Sequence, residues 1–355
     1  MKNKKIIYYS GPYNINALGA TRSIDIPILE NFKNIGIKTI WIGCGKFNVA
    51  DKNYNLEPSS RLIQYWIKVK NKLLRDFFLQ SEQIQALNRY IEYDLLTSDL
   101  LKNNKQNIDH NSIMISRSVA ATVSFKTAKK LGVKTILHSS WCHPLYQRKL
   151  LSEHFKKLKL KLEPVLAERV NRQIEEINTV DKIWCISNMV LESYLEFGVP
   201  REKLFLCPLG VDLNRYKFDN LKQSEKFCIL HVGNVNPEKG VHLLFQALKK
   251  TDLSNIKIIF NGAIPDYFSK IFYKMCTDLK INKNISIEVS PGVPDGNYQK
   301  ADLFILPSIH ESFGLVVLEA MANGLPVIIS DNVGSIDCII NGENASTFEN
   351  GNVDQ

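Results

Sequence analysis

Short apolar runs alternate along this chain with longer segments whose apolar residues recur every three to four positions. In the first half the runs are KIIYYSG, KTIWIGC, SIMISRS, KTILHSS, KIWCISN and LFLCPLG. In the second half they are FCILHVGN, IKIIFNGA, ISIEVS, LFILPS and PVIIS. Most are apolar without interruption, as expected of parallel strands covered on both faces. Helical periodicity fills the intervals, as in Thr21–Ile35 and Val241–Lys250. This alternation predicts an α/β chain of two Rossmann-like, doubly wound domains. The polar stretch NLKQSEKF, Asn220 to Phe227, sets the expected boundary between a domain over 1–219 and a second over 220–355. Ligands of open α/β sheets bind beyond the carboxyl ends of the strands, so two such domains are expected to face each other across a ligand cleft.

Two further helical segments are strongly basic. In Arg61–Gln80 the stripe Leu62, Trp66, Val69, Leu73, Phe77 runs beside Arg61, Lys68, Lys70, Lys72 and Arg75. In Lys149–Leu162 the stripe Leu151, Phe155, Leu158, Leu162 runs beside Lys156, Lys157, Lys159 and Lys161. A helix of this kind packs on a core with its basic face in water, or lies on anionic lipid. Both readings stay open, and an anionic membrane surface is a candidate partner.

The 355 residues suit two ordinary domains, and 45% hydrophobic content suits a globular chain. Lys and Arg outnumber Asp and Glu by 45 to 36, a net charge of +9 that is compatible with acidic ligands. No nucleic-acid-binding module accompanies that charge, so nucleic acid is not an expected partner. The seven cysteines form no CxxC pair, which points to reduced thiols in a cytoplasmic protein and not to a zinc site. MKNKKIIYYSGPYN reads as a first strand, not a leader, and no apolar run approaches the roughly 18 residues of a membrane span.

Two stretches carry chemistry. LHVGNVNPEKGVHLLFQAL runs from strand through Gly233 to a helix preceded by Gly240. Lys239 stands at that helix start, where backbone N–H groups and the helix dipole already favour anions, so it suits a diphosphate. An ordinary surface lysine is the plain alternative. No G-x-G-x-x-G is present, which removes a nicotinamide fingerprint. HESFGLVVLEAMANGLPVII begins as the turn after LFILPS, continues as a helix ending at Gly324, and has Pro326 beyond. Glu311 lies in the turn and Glu319 eight positions on, about two helical turns away. Ser312, Phe313 and Gly314 offer backbone N–H groups between them. Glu319 has apolar neighbours, so its carboxylate needs a partner, either a protein group or a ligand hydroxyl.

These stretches resemble the GT-B glycosyltransferases of family 4, the retaining enzymes called glycosyl transferases group 1. The resemblance runs through HVGNVNPEKG, IIFNGA and SPGVPDGNYQKADLFILPSIHESFGLVVLEAMANGLPVIISDNVGSIDCIINGEN, and through VDKIWCISNMVLESYLEFGVPREKLFLCPLGVDLNRY upstream. It covers Asp181 to about Asn344, and its E-x7-E element is complete as Glu311 and Glu319. The first half resembles the family more weakly, as expected of an acceptor-binding domain. The resemblance implies that Lys239 holds the donor diphosphate and that Glu319 binds the ribose. Glu311 would face the sugar with the backbone of Phe313, Gly314 and Leu315. Gly292 and Val293 would meet the base, and Gly233 with Asn234 would line the donor. Gly19 corresponds to the glycine-bearing loop after the first strand. His138 matches a histidine that contacts the sugar, with His143 as a nearby alternative. Catalytic roles thus fall to Glu311, His138 and Lys239.

The resemblance further implies transfer of a sugar from a nucleotide-diphosphate sugar, UDP- or GDP-linked, to an acceptor hydroxyl with retention at the anomeric carbon. The acceptor would be a glycan or lipid-linked molecule of bacterial surface polysaccharide or glycolipid, handled in the cytoplasm or at the inner membrane face. No cofactor is implied. The chain has no D-x-D, consistent with a site without a metal. Two departures stand out. The family usually has Arg where this chain has Asn234, leaving Arg22 or helix-start N–H groups to supply positive charge. The chain also stops at NGENASTFENGNVDQ, where family members continue into further helices, so the second domain is expected to be incomplete at its end. A non-catalytic sugar-nucleotide-binding protein, or a related GT-B phosphorylase or epimerase, is the alternative reading.

Overall fold

The computed structural model describes residues 6–14, 24–44, 52–55, 82–109, 111–159, 167–216, 226–251, 255–283, 285–292 and 294–355. They form two compact units. One comprises Met1–Ser140, Glu163–Cys185 and Gly198–Leu206; the other comprises Trp141–Leu162, Ile186–Phe197 and Cys207–Gln355. The expected boundary at Asn220–Phe227 falls largely on residues outside those described, as do Gly19, Arg22, Val293 and the basic segment Arg61–Gln80.

The first unit holds a parallel sheet of strands β1 (Ile6–Asn14), β2 (Lys38–Cys44), β3 (Lys52–Asn55), β4 (Ile113–Arg117), β5 (Lys134–Ser139), β6 (Lys182–Cys185) and β7 (Leu204–Leu206). Their spatial order is β3-β2-β1-β4-β5-β6-β7. Helices α1 (Ile26–Asn34), α2 (Glu82–Asn103), α3 (Thr122–Lys130) and α5 (Ala167–Thr179) belong with it. Helix α1 carries Pro27 in its first turn, where a missing N–H costs nothing. Ile7, Tyr9, Leu29, Trp41 and Ile115 form its core against the sheet.

Two buried carboxylates organise the start of α3. Asp94 accepts from the backbone of Val123 and Ser124, each at 2.8 Å, and Glu176 accepts from Val119 N and Ala121 N at 2.7 and 2.9 Å. Negative charge is favoured at this end of a helix. Burial nevertheless pushes Glu176 up to about 7 despite those two N–H donors.

The second unit holds β8 (Phe227–Val232), β9 (Ile256–Asn261), β10 (Ser286–Val289), β11 (Leu303–Leu306), β12 (Val327–Ser330) and β13 (Ser346–Phe348). This sheet is also parallel, in the order β10-β9-β8-β11-β12-β13. Its helices include α4 (Pro144–Lys157), α6 (Asn188–Glu196), α7 (Val241–Lys250), α8 (Asp266–Lys283), α9 (Asp295–Tyr298) and α10 (Leu315–Ala322). Strand β8 feeds two cores, because alternate side chains point to opposite faces. Cys228, Leu230 and Val232 join Phe304, Val317 and Ile329 on one side. Ile229 joins Phe245, Phe260 and Phe272 on the other, where Phe245 stacks on Phe260 with centroids 5.7 Å apart.

The expected strands all appear among these, and β3 and β13 add to them. Helix α4 runs earlier than the expected Lys149–Leu162. Pro144 starts it, and Lys159, at φ 56°, lies in the left-handed region beyond its end. Leu151 and Phe155 are buried while Lys156 and Lys157 are exposed, the pattern of a core-packing helix with a solvated basic face. No described helix is long and apolar enough to cross a membrane.

Candidate functional site

Chain order in the second sheet reverses between β8 and β11, and that switch point is where open α/β sheets take ligands. The two stretches singled out from sequence emerge there side by side. After β8, Asn236 caps the short turn Pro237–Lys239, its Oδ1 accepting from Lys239 N at 3.0 Å. Gly240 follows at φ 67°, and a Cβ there would stand 1.6 Å from Pro307 O at the end of β11. Only glycine permits that approach. The two loops are also joined through Ile309 N, which donates to Glu238 O at 2.9 Å.

This packing brings Lys239 Nζ to 2.6 Å from Glu311 Oε2. Both side chains are about four-fifths covered, at 19% and 22% exposure. Burial alone would lower the ammonium's affinity for its proton, but Glu311 and Glu238 outweigh it and hold Lys239 above its ordinary range. A second acid–base contact lies beside the first: His310 Nδ1 is 3.6 Å from Glu238 Oε1. His310 is buried, which opposes its charge. The Cys142 sulfur and Glu238 overcome that and raise it to about 9.

The loop from Glu311 to Gly314 is fixed by main-chain contacts. Glu311 N donates to Asn332 O at 3.1 Å, Gly334 N to Glu311 O at 2.8 Å, and Ser335 N to Phe313 O at 2.6 Å. Gly314, at φ 79°, starts α10, and a Cβ there would press on Val333, Glu311 and Leu306 at 2.9–3.3 Å. Leu315 opens the helix, and Phe313 is buried beneath the turn. Glu319 is 6% exposed, and its Oε2 accepts from Tyr298 Oη at 2.8 Å. The carboxylate expected to need a partner therefore has a protein one, which holds it in a single orientation.

Neighbouring strand ends complete this rim. Gly233 N donates to Asn261 O at 3.0 Å, and Val235 N donates to Ala263 O at 2.8 Å, with Asn234 between them. Asn261 Nδ2 donates to Gly292 O at 2.9 Å, and Asn297 Nδ2 donates to Asn261 Oδ1 at 2.6 Å. Gly233, Asn234, Lys239, Gly292, Glu311, Phe313 and Gly314 thus belong to the second unit in the loops beyond its strands' carboxyl ends, with Leu315 and Glu319 in helix α10 that follows.

His138 belongs to the first unit. It ends β5 beside Arg117 at the end of β4, close to that sheet's own reversal between β1 and β4. It is fully buried and stacks on Trp184, with centroids 4.4 Å apart. Its Nδ1 is 3.0 Å from Tyr9 Oη, which donates to Asp25 Oδ1 at 2.8 Å, and Arg117 Nη2 reaches the same oxygen at 2.9 Å. Burial and the Arg117 charge push His138 well below its ordinary range, so the imidazole is neutral. His143 lies in the second unit, caps α4 and stacks on Phe197 with centroids 4.7 Å apart. Burial lowers it to about 4.

Three participants escaped the sequence reading: Tyr298, Glu238 and His310. The last two were within view. The doublets Glu238-Lys239 and His310-Glu311 carry opposite orders of charge and meet in step, first residue with first and second with second. No group of three or more His, Cys, Asp or Glu side chains is arranged to hold a metal ion among the described residues.

Residues 212–355 match the family described as glycosyl transferases group 1. The chain is 29% identical over 157 residues to the Staphylococcus aureus capsular polysaccharide biosynthesis glycosyltransferase CapM, over 40% of each chain. It is 24% identical over 265 residues to the Escherichia coli UDP-Gal:alpha-D-GlcNAc-diphosphoundecaprenol alpha-1,3-galactosyltransferase, over 69% of this chain and 62% of that one. The matched stretches thus take in less than two thirds of either relative's length. Among solved structures, Anabaena HepE in complex with UDP and glucose superposes with a TM-score of 0.64 at 14% identity, over 98% of this chain and 87% of that one. That likeness extends the shared fold to both sheets. Residues 212–355, with Lys239 and Glu311 in the loops after β8 and β11 and Glu319 in the helix that follows, therefore belong to the glycosyl transferases group 1 family, within a chain of GT-B fold.

Proposed function

We propose that this chain is a retaining glycosyltransferase that moves a sugar from a nucleotide-diphosphate sugar to an acceptor hydroxyl. The observation that carries the proposal is the Lys239–Glu311 pair astride the β8/β11 switch point, inside the family's own domain. Lys239 and the N–H groups about it stabilise charge building on the departing diphosphate, in a part-buried site where such charges act strongly. Glu311 faces the sugar, Glu319 takes the ribose hydroxyls in the orientation that Tyr298 imposes, and the loop at Gly292 and Val293 meets the base. Gly233 and Asn234 line the diphosphate side.

UDP is the first donor nucleotide to test, because the HepE structure holds it and the Escherichia coli relative is named for UDP-Gal. The same relative's diphosphoundecaprenol acceptor and the capsular relative support a lipid-linked acceptor in surface polysaccharide synthesis. Residues 1–219 would bind that acceptor and 220–355 the donor. His138, neutral and paired with Tyr9, is the first half's candidate for meeting the transferred sugar, together with Gly19. The reaction proceeds without a metal ion. The basic face of α4 would bring the enzyme to an anionic inner membrane face.

A thermal-shift panel of UDP, GDP, ADP and their sugar conjugates tests this on wild type, Lys239→Ala and Glu319→Ala. A ligand at about 100 times its Kd stabilises by roughly 2.7 kcal/mol, a visible shift. Stabilisation by one nucleotide that both substitutions abolish is the expected result. No stabilisation by any nucleotide would sink the reading. Binding without transfer to any glycan or lipid-linked acceptor would identify a sugar-nucleotide-binding protein instead. Phosphate-dependent release of sugar would identify a phosphorylase. Product NMR decides retention, activity in excess EDTA decides metal independence, and sedimentation with anionic liposomes at low salt decides membrane contact.

A further inference from the structure

Four charged groups alternate in sign where the β8 and β11 loops meet. Glu238 opposes His310 at 3.6 Å, and Lys239 opposes Glu311 at 2.6 Å. The two contacts come from adjacent residues on each loop, locked by the Ile309–Glu238 main-chain hydrogen bond. His310 is 3% exposed, so solvent screens little of its charge. The titratable groups that act on it are Glu238 and Cys142, from the segment before α4, and the Lys239–Glu311 pair occupies the next position on each loop. Gln147 of α4 also contacts Glu238.

We propose that His310 is a positioning residue for the donor's diphosphate: as a cation it occupies Glu238 and keeps that carboxylate from competing with the diphosphate for Lys239. The proposal rests on the reading of this site as a nucleotide-sugar site. Its logic is a charge count. With His310 protonated, the four groups sum to zero, and an incoming anion has to displace only Glu311 from Lys239. With His310 neutral they sum to one negative charge, and Lys239 is shared between two carboxylates. The groups hold the states this requires. Burial works against ionised Glu238, yet His310, Lys239 and Gln147 keep it below the ordinary carboxylate range. The Glu238 carboxylate 3.6 Å from His310 Nδ1, with the Cys142 sulfur, outweighs burial and raises the imidazole to about 9.

Calorimetric titration of UDP and of uridine into wild type, His310→Gln, Glu238→Gln and the double variant tests the proposal at pH 7. His310→Gln should weaken UDP by about tenfold, since one uncompensated buried charge near the diphosphate is worth at least that much. Uridine, which lacks the diphosphate, should be unaffected. Adding Glu238→Gln should restore UDP binding, because the remaining Lys239–Glu311 pair is again neutral. Between pH 7 and 10 wild type should lose affinity for UDP more steeply than for uridine, whose shared uracil N3–H ionises in the same range, whereas the double variant should lose both in parallel. Equal weakening of UDP and uridine, or a double variant worse than either single, would assign His310 a structural role and overturn the proposal. If His310→Gln does not fold, the pH series on wild type and the double variant decides alone. Wild type that binds neither UDP nor GDP overturns the functional reading and this inference with it. Wild type that binds UDP and is matched by His310→Gln overturns only the inference.

Discussion

The ammonium nitrogen of Lys239 lies 2.6 Å from Glu311 Oε2, so the cation of the β8 loop is closed by the carboxylate of the β11 loop. A pair of this kind keeps a part-buried lysine charged and aimed, and it gives way only to a stronger anion.

The pair predicts a split between affinity and turnover. Glu311→Gln removes the internal competitor, so UDP binding should tighten by several-fold while sugar transfer collapses. Lys239→Ala should lose UDP binding by roughly tenfold or more, as expected for a lost charge-assisted contact. Calorimetry on both variants checks the first half, and a transfer assay with the cognate donor checks the second. Weaker UDP binding in Glu311→Gln would contradict the competition.

Tyr298→Phe removes a buried hydrogen-bond donor to the Glu319 side chain. The variant should lose about 1 kcal/mol of stability, the usual worth of one buried hydrogen bond. Its affinity for uridine should fall alongside that for UDP, because the loosened carboxylate no longer meets the ribose in one orientation. A selective loss for UDP would place Glu319 at the phosphates instead.

Gly240→Ala should cost at least ~2 kcal/mol, combining a left-handed backbone with a Cβ driven into Pro307 O. Denaturant unfolding measures the loss. Gly292→Ala meets no atom within 4 Å, although its φ of 118° carries its own strain, so it should be the milder substitution.

His310 and the buried neutral histidines predict opposite limbs of a pH–stability profile. The folded value of His310, about 9, lies above the ordinary 6.5. Its contribution is complete below pH 6.5 and is lost as pH rises through 9, on the order of 3 kcal/mol. His143, His231 and His242 go the other way. Burial lowers them to about 4, 4 and 3, so they favour folding above pH 6.5 and oppose it increasingly as pH falls through 4. Denaturation midpoints between pH 4 and 10 should decline at both ends, and His310→Gln should flatten only the alkaline limb.

In the first unit, Asp25 and Arg117 are nearly inaccessible and hydrogen-bonded to each other. Arg117→Ala should destabilise the chain by about 3–5 kcal/mol by leaving the carboxylate without its cation. Replacing both residues with apolar ones of similar size should recover much of that. A negligible effect of the single substitution would show that Asp25 is protonated in the folded chain.

The fold was legible wherever burial writes itself into sequence. Strands covered on both faces are unbroken apolar runs, and each of those was visible. The additions, Lys52–Asn55 and Ser346–Phe348, are edge strands with polar sequences, which carry no such signal. Lys239, Glu311 and Glu319 were legible because turn chemistry and burial cost mark them locally. Tyr298 was not, since its contact with Glu319 spans 21 positions and depends on how α9 and α10 pack. The burial of His138 was likewise out of reach. Its strand-end position could be read, but the covering ring of Trp184 and the partner Tyr9 come from distant segments.

The loops that carry the candidate site are lashed to one another chiefly through their main chains: Gly233 to Asn261, Val235 to Ala263, Ile309 to Glu238, Glu311 to Asn332 and Gly334 to Glu311. Their paths therefore do not depend on most of the side chains they display. Such a rim can exchange many of its side chains one at a time and keep its shape, so substitution there alters what the loops display before it alters how they run.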